Sequence, residues 1–141
     1  TGSIDIRGEG YPCSHRYHGV DLVAGPGVDQ VVDGPEVDPP FAVDVVISCE
    51  VFEHTTEWPE IVENAFGVLM PGGRLVVTMA TTGRAPHSAV DGGALRDGEF
   101  YSNVELGVLV TMAEACGFTT AYCRSFADRG DLYAIFRKPA K

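Results

Sequence analysis

Glu50, Glu53 and His54 fall within the five residues Glu50-Val51-Phe52-Glu53-His54, directly after the apolar run Asp44-Val45-Val46-Ile47-Ser48-Cys49. An imidazole beside a carboxylate suits proton transfer near neutrality, because the ordinary histidine pKa of about 6.5 makes both states of the ring accessible. The bland alternative is that Glu53 and His54 only cap or orient the element that follows. His87 and Tyr101 could face a bound molecule, and surface solvation explains them equally well. Cys13, His15 and His18 are close enough to suggest zinc, but a fourth ligand at suitable spacing is lacking and structural zinc sites usually need four. The expectation is no metal site.

These residues need elements to place them. Tyr17 to Leu22 is a short strand candidate ending in an acidic residue, followed by the turn Ala24-Gly25-Pro26-Gly27 and a second strand from Val28 to Asp33. The three prolines between Gly34 and Phe41 exclude a helix interior there. The strand Val43 to Ser48 is apolar on both faces, the pattern of a strand covered from both sides in a parallel sheet. Trp58, Ile61, Val62, Ala65, Phe66 and Leu69 then recur at three- and four-residue intervals. They predict an amphipathic helix with Thr55 or Thr56 as N-cap and Pro59 in its first turn. Pro71-Gly72-Gly73 is expected to end it, before a strand from Leu75 to Met79. Thr81 to Tyr101 has no period and reads as a long substrate-side loop. A second helix is expected over Val104 to Cys116, capped by Ser102 or Asn103 and stopped by Gly117. Phe118 to Phe126 and Leu132 to Phe136, joined by Asp128-Arg129-Gly130-Asp131, predict an antiparallel hairpin.

The chain has 141 residues, 45% apolar and 21% charged, which predicts one folded domain over residues 1–141 with room for a single sheet and its helices. A net charge of −10 supplies no basic stripe for a phosphate backbone, so nucleic acid is disfavoured as a substrate. The four cysteines form no CxxC pair, and reduced thiols in the cytoplasm are the simplest expectation. No stretch approaches the length of a membrane span, and the start lacks a basic region followed by an apolar one. Membrane partners are not expected.

The run Asp44 to His54, followed by Val68-Leu69-Met70-Pro71-Gly72-Gly73-Arg74-Leu75, resembles the DVVxxxExxEH and LxPGGxL signatures of class I S-adenosylmethionine-dependent methyltransferases. Gly117-Phe118 and the stretch from Gly130-Asp131-Leu132-Tyr133 to Lys138-Pro139 are similar to the close of that fold. The resemblance implies an α/β class, a Rossmann-like methyltransferase sheet, mostly parallel with a C-terminal antiparallel hairpin. The family's ExGxGxG loop is not seen. Thr1 to Gly8 resembles the divergent GSxDxxG loop of some members, which implies a first strand that is truncated or absent. Either it lies upstream of Thr1, or it has been lost and Ser3 to Ile6 partly fills the gap. Losing a central strand leaves unpaired backbone groups on both neighbours, so a rearranged or homo-oligomeric sheet is the alternative to an upstream strand.

The implied cofactor is S-adenosyl-L-methionine, held beyond the carboxyl ends of the strands. Asp21, with Leu22, would accept the two ribose hydroxyls. Asp33 and Gly34 would meet the adenine edge, Ser48, Cys49 and Glu50 the methionine end, and Gly2 the glycine-rich loop. His54, with Glu53, is the candidate catalytic base, and His87 and Tyr101 are candidates for contact with a small-molecule or sugar-like acceptor. Three rival readings stay open: a catalytically degenerate interaction module, a nicotinamide enzyme, which lacks its GxGxxG fingerprint here, and a DNA amino-methyltransferase. Asp38-Pro39-Pro40-Phe41 resembles the DPPF motif of that last class, yet precedes its strand instead of following it.

Overall fold

The structure, a computed structural model, describes residues 16–140. Strand β1 (Val20–Asp21) and strand β2 (Gln30–Val31) form a short parallel pair, with Asp21 opposite Val31. Both are shorter than the apolar runs predict. The chain folds back tightly between them, and the Gly19 carbonyl accepts from the amides of Asp29 and Gln30. A side chain on Gly19 would place its Cβ 1.7 Å from the Gly27 carbonyl oxygen, so this turn requires glycine.

The main sheet contains β3 (Val43–Cys49), β4 (Leu69–Ala80), β5 (Thr119–Phe126) and β6 (Asp131–Arg137) in the order β3-β4-β6-β5. Helix α1 (Trp58–Val68) carries the chain from β3 to the parallel β4, and α2 (Leu106–Ala115) leads into β5. Strand β6 is antiparallel to both neighbours. The α/β architecture with a C-terminal antiparallel hairpin is therefore formed as expected. Among the described residues β3 has a hydrogen-bonded neighbour on one side only, and β1 and β2 make a separate sheet.

Leu75, Val77 and Met79 of β4 and Leu132, Ala134 and Phe136 of β6 point to one face, where Val62, Ala65, Leu109 and Ala113 of the helices close over them, all essentially without solvent exposure. This burial is the main stabilising term. The opposite face departs from expectation. Val45 and Ile47 of β3 are 45% and 62% exposed, because both described helices pack on the same side of the sheet, so β3 is not covered on both faces.

Three boundaries also differ. Pro71-Gly72-Gly73 does not end α1, which stops at Val68, but forms a bulge inside β4: three extra residues loop out between the pairs Val43–Leu69 and Val45–Arg74. Gly72 sits at φ +84°, and a Cβ on Gly73 would lie 3.0 Å from the Asp44 carbonyl oxygen. Lys138 then reaches back to donate to the carbonyls of Phe66 and Leu69, a cationic cap at the helix C-terminus. Neither helix has a side-chain N-cap: the cap positions are Glu57 and Glu105. Thr55 instead accepts the Glu57 amide, and Asn103 is held by the loop described below. No described helix is long and apolar enough to cross a membrane.

Candidate active site

Strand β3 ends at Cys49, and Glu50 turns the chain with φ +54°, the one non-glycine residue at positive φ among those described. Such strain persists only where surrounding contacts fix it. Here the Glu50 amide donates to the Thr78 carbonyl at 2.8 Å, and the Thr78 hydroxyl donates to Glu50 Oε1 at 3.0 Å. The turn throws the chain into a single 3₁₀ turn, Phe52–His54. Phe52 is anchored in the core and stacked on Trp58 at 5.8 Å. The next residue in this tight turn is therefore drawn inward as well: Glu53 is 0% exposed.

Glu53 Oε1 accepts the Ala80 amide at 3.1 Å, and the Glu53 carbonyl accepts the Ser102 amide at 2.8 Å. Its other oxygen, Oε2, is buried without a partner, as is His54 Nδ1. Burial pushes the Glu53 carboxyl up to about 7, with the nearby Glu50 charge adding to the effect and the Ala80 amide opposing it. Burial lowers the His54 pKa, helped by the charge of His87. Burial therefore favours the neutral form of the ring.

The segment between β4 and α2 supplies the rest. It is tied down by Val104 donating to the Ala80 carbonyl, Thr81 donating to the Gly130 carbonyl, and Asn103 Nδ2 donating to the Arg84 carbonyl. Tyr101 donates to Asn103 Oδ1 at 2.8 Å, and buried Ser88 donates to Glu99 Oε1 at 2.8 Å. This loop delivers His87 and Tyr101 to His54. The three rings meet edge to face, with centroids 4.9 Å apart for His54–His87, 5.5 Å for His54–Tyr101 and 4.9 Å for His87–Tyr101. Burial raises the Tyr101 pKa, with the Glu53 charge adding to it. Beside the rings opens a cleft of about 610 Å³ bounded by Glu50, His54, Arg84, His87 and Gly92. Arg84 is bonded to Asp131 and lies 3.9 Å from Glu50, so it joins the end of β3 to the start of β6.

The fold thus gathers Glu50, Glu53, His54, His87 and Tyr101. Asp21, Leu22, Asp33 and Gly34 do not line this cleft. Asp21 Oδ1 accepts the Val23 amide at 3.2 Å, with Leu22 67% exposed beside it. Asp33 caps the 3₁₀ turn Gly34–Glu36 by accepting the Gly34 amide at 2.7 Å, and Gly34 packs against Ile61 of α1. Ser48 is half-buried and Cys49 exposed at the carboxyl end of β3. Gly2, Cys13 and His15 lie outside the described residues. His18 is engaged with Gln30 Oε1 at 3.1 Å and rests edge-on against Phe41 of the Asp38-Pro39-Pro40-Phe41 segment, which precedes β3. Arg84 was invisible to motif reasoning, because a single arginine in an aperiodic loop carries no spacing signal. The meeting of Glu53 with His87 was equally hidden.

Residues 13–77 match the family model described as a methyltransferase domain. No curated protein matches the chain by sequence. Among solved structures, an S-adenosylmethionine-dependent methyltransferase from Mesorhizobium loti superposes with a TM-score of 0.63 at 16% identity, over 86% of this chain and 80% of that one. The 1,6-didemethyltoxoflavin-N1-methyltransferase of Burkholderia thailandensis, solved with bound 1,6-didemethyltoxoflavin and S-adenosylhomocysteine, gives 0.62 at 17% identity over 85% of this chain. The N-methyltransferase NodS from Bradyrhizobium japonicum, solved with S-adenosylhomocysteine, gives 0.54 at 20% identity, over 85% of this chain and 65% of that one. The present chain spans 60% of the length of the Burkholderia protein. Residues 13–77 thus match a methyltransferase-domain model, and the sheet has the fold of the class I S-adenosylmethionine-dependent enzymes.

Proposed function

We propose that the domain transfers a methyl group from S-adenosyl-L-methionine to an oxygen or nitrogen of a small-molecule or sugar-like acceptor. The observation that carries this reading is the convergence of Glu50, His54 and His87 on one cleft beyond the carboxyl ends of β3 and β4, with Tyr101 packed against both imidazoles, where open α/β sheets bind their ligands. The chemistry of the donor set at β1 fits an adenosyl group: Asp21 keeps a second carboxylate oxygen for a diol, and Leu22 and Val23, 67% and 70% exposed, offer the apolar surface a nucleoside would cover. When bound, S-adenosylmethionine supplies an activated methyl on a sulfonium.

The chain's own residues then orient the acceptor and manage its proton, since such displacements depend mostly on positioning. His54 lines the cleft, its burial disfavours the charged ring, and it is the group placed to accept the acceptor's proton. Glu53 fixes the 3₁₀ turn that holds the ring through its bonds to Ala80 and Ser102. His87, backed by Tyr101, offers the aromatic wall against which a flat or ring-shaped acceptor lies.

Calorimetric titration with S-adenosylmethionine and S-adenosylhomocysteine tests the reading. Both should bind, and Asp21→Ala should weaken them about 10- to 100-fold, the loss of hydrogen bonds to a charged group. No heat from either ligand, with the variant behaving as the wild type, would remove the cofactor assignment.

A further inference from the structure

Glu53, His54 and His87 each present one ligating atom within 4.8 Å of the other two. Two imidazoles and one carboxylate are the donor set of borderline divalent ions rather than of magnesium or calcium, which take oxygen ligands. Donors about 2.1 Å from one ion lie about 3–4 Å apart, so the set is nearly closed. A small rotation of His87, which sits on a half-exposed loop, completes the approach.

Two further observations point to a ligand. Glu53 is fully buried, yet its Oε2 has no hydrogen-bond partner, and buried His54 Nδ1 has none either; buried polar atoms left unsatisfied call for an explanation, and an absent ion is one. His87 Nδ1 lies 3.2 Å from the Ala85 carbonyl. A carbonyl only accepts, so Nδ1 carries the ring proton and Nε2 presents its lone pair. A backbone carbonyl fixing the tautomer of the ring in this way is the usual outer support of a metal-bound histidine.

We propose that Glu53, His54 and His87 bind one divalent transition ion of the zinc or cobalt type, with its remaining coordination positions open to the cleft beside Glu50 and Arg84. Three protein ligands with open positions are the pattern of a catalytic rather than a structural metal site. The ion's partner in the cleft is then an oxygen donor of a small molecule, such as a hydroxyl or carboxylate. Ion and proton compete for the His54 lone pair, so the ring serves as a base only in the metal-free protein. Binding needs only these three side chains and does not rest on the methyl-donor reading.

The test uses the full chain, stripped with a chelator and titrated with Co2+, Zn2+ or Mg2+ in the absence of any methyl donor, by calorimetry and by the visible absorption of Co2+. One Co2+ or Zn2+ per chain should bind, at least about 10-fold more tightly than Mg2+, and His87→Ala should weaken binding by at least about 10-fold. His87 lies outside the core, so the variant keeps its fold, which its thermal unfolding verifies. Failure of both Co2+ and Zn2+ to bind would overturn the proposal. So would undiminished binding by His87→Ala, or a sulfur-to-cobalt charge-transfer band, which would put the ion on a cysteine. S-adenosylhomocysteine titrated separately reports on the cofactor reading alone.

Discussion

Glu53→Gln is expected to gain stability relative to the wild type as pH rises, by up to about 3 kcal/mol between pH 4.5 and pH 8 in chelator-treated protein. The Glu53 carboxyl has an ordinary value of 4.5 and is raised to about 7 in the fold, so in that window the folded chain holds a proton that the unfolded chain has released. Stability must fall with pH wherever the folded state binds more protons, and the penalty is complete once pH passes the folded value. Glutamine keeps an oxygen for the Ala80 amide and cannot ionise, so this fall disappears. The groups facing the carboxyl are Glu50, His54, His87 and Tyr101. Of these, His54 acts in the opposite sense. Its lowered pKa removes stability as pH drops below 6.5, and it does so in both proteins, so the difference between them isolates Glu53. Urea unfolding at pH 4.5, 6 and 8 measures the effect; parallel pH profiles would mean that Glu53 is solvated rather than buried in the folded chain.

Gly130→Ala should destabilise the protein by about 2–5 kcal/mol, combining left-handed backbone with overpacking. Gly130 has φ +69°, and its Cβ would lie 2.4 Å from the backbone nitrogen of Arg84. The turn between β5 and β6 is pressed against the loop that builds the cleft wall, and the Gly130 carbonyl accepts the Thr81 amide. Gly98→Ala is the control. It has φ +86° with nothing within 4 Å of the added Cβ, so it should cost only the backbone term, about 1–2 kcal/mol. Chemical denaturation of both variants compares them. Equal losses would show that the loop does not rest on the hairpin, and that Arg84 is not positioned through Gly130.

Much of the fold was legible because its signals are local. The period of Trp58, Ile61, Val62 and Ala65 gives α1, and the Gly-containing turn before Asp131 gives the hairpin. Glu53-His54 was recognisable because neighbouring residues in sequence are neighbours in space. What misled was equally local. Val43 to Ser48 looks buried on both sides by composition, but whether a second layer covers Val45 and Ile47 depends on where distant helices pack. Pro71-Gly72-Gly73 looks like a helix stop, yet the pairing of Leu69 with Val43 pulls the strand start forward and leaves these residues to bulge.

The order of strands and helices, the acid-and-imidazole segment after β3 and the family resemblance can all be read along the chain, since each rests on residues at most a few turns apart. Three-dimensional packing alone brings His87 and Tyr101 onto His54, links Glu50 to Asp131 through Arg84, and leaves one Glu53 oxygen buried without a partner. Those contacts join segments tens of residues apart. Backbone hydrogen bonds along an otherwise aperiodic loop set them, and no spacing in the chain encodes them.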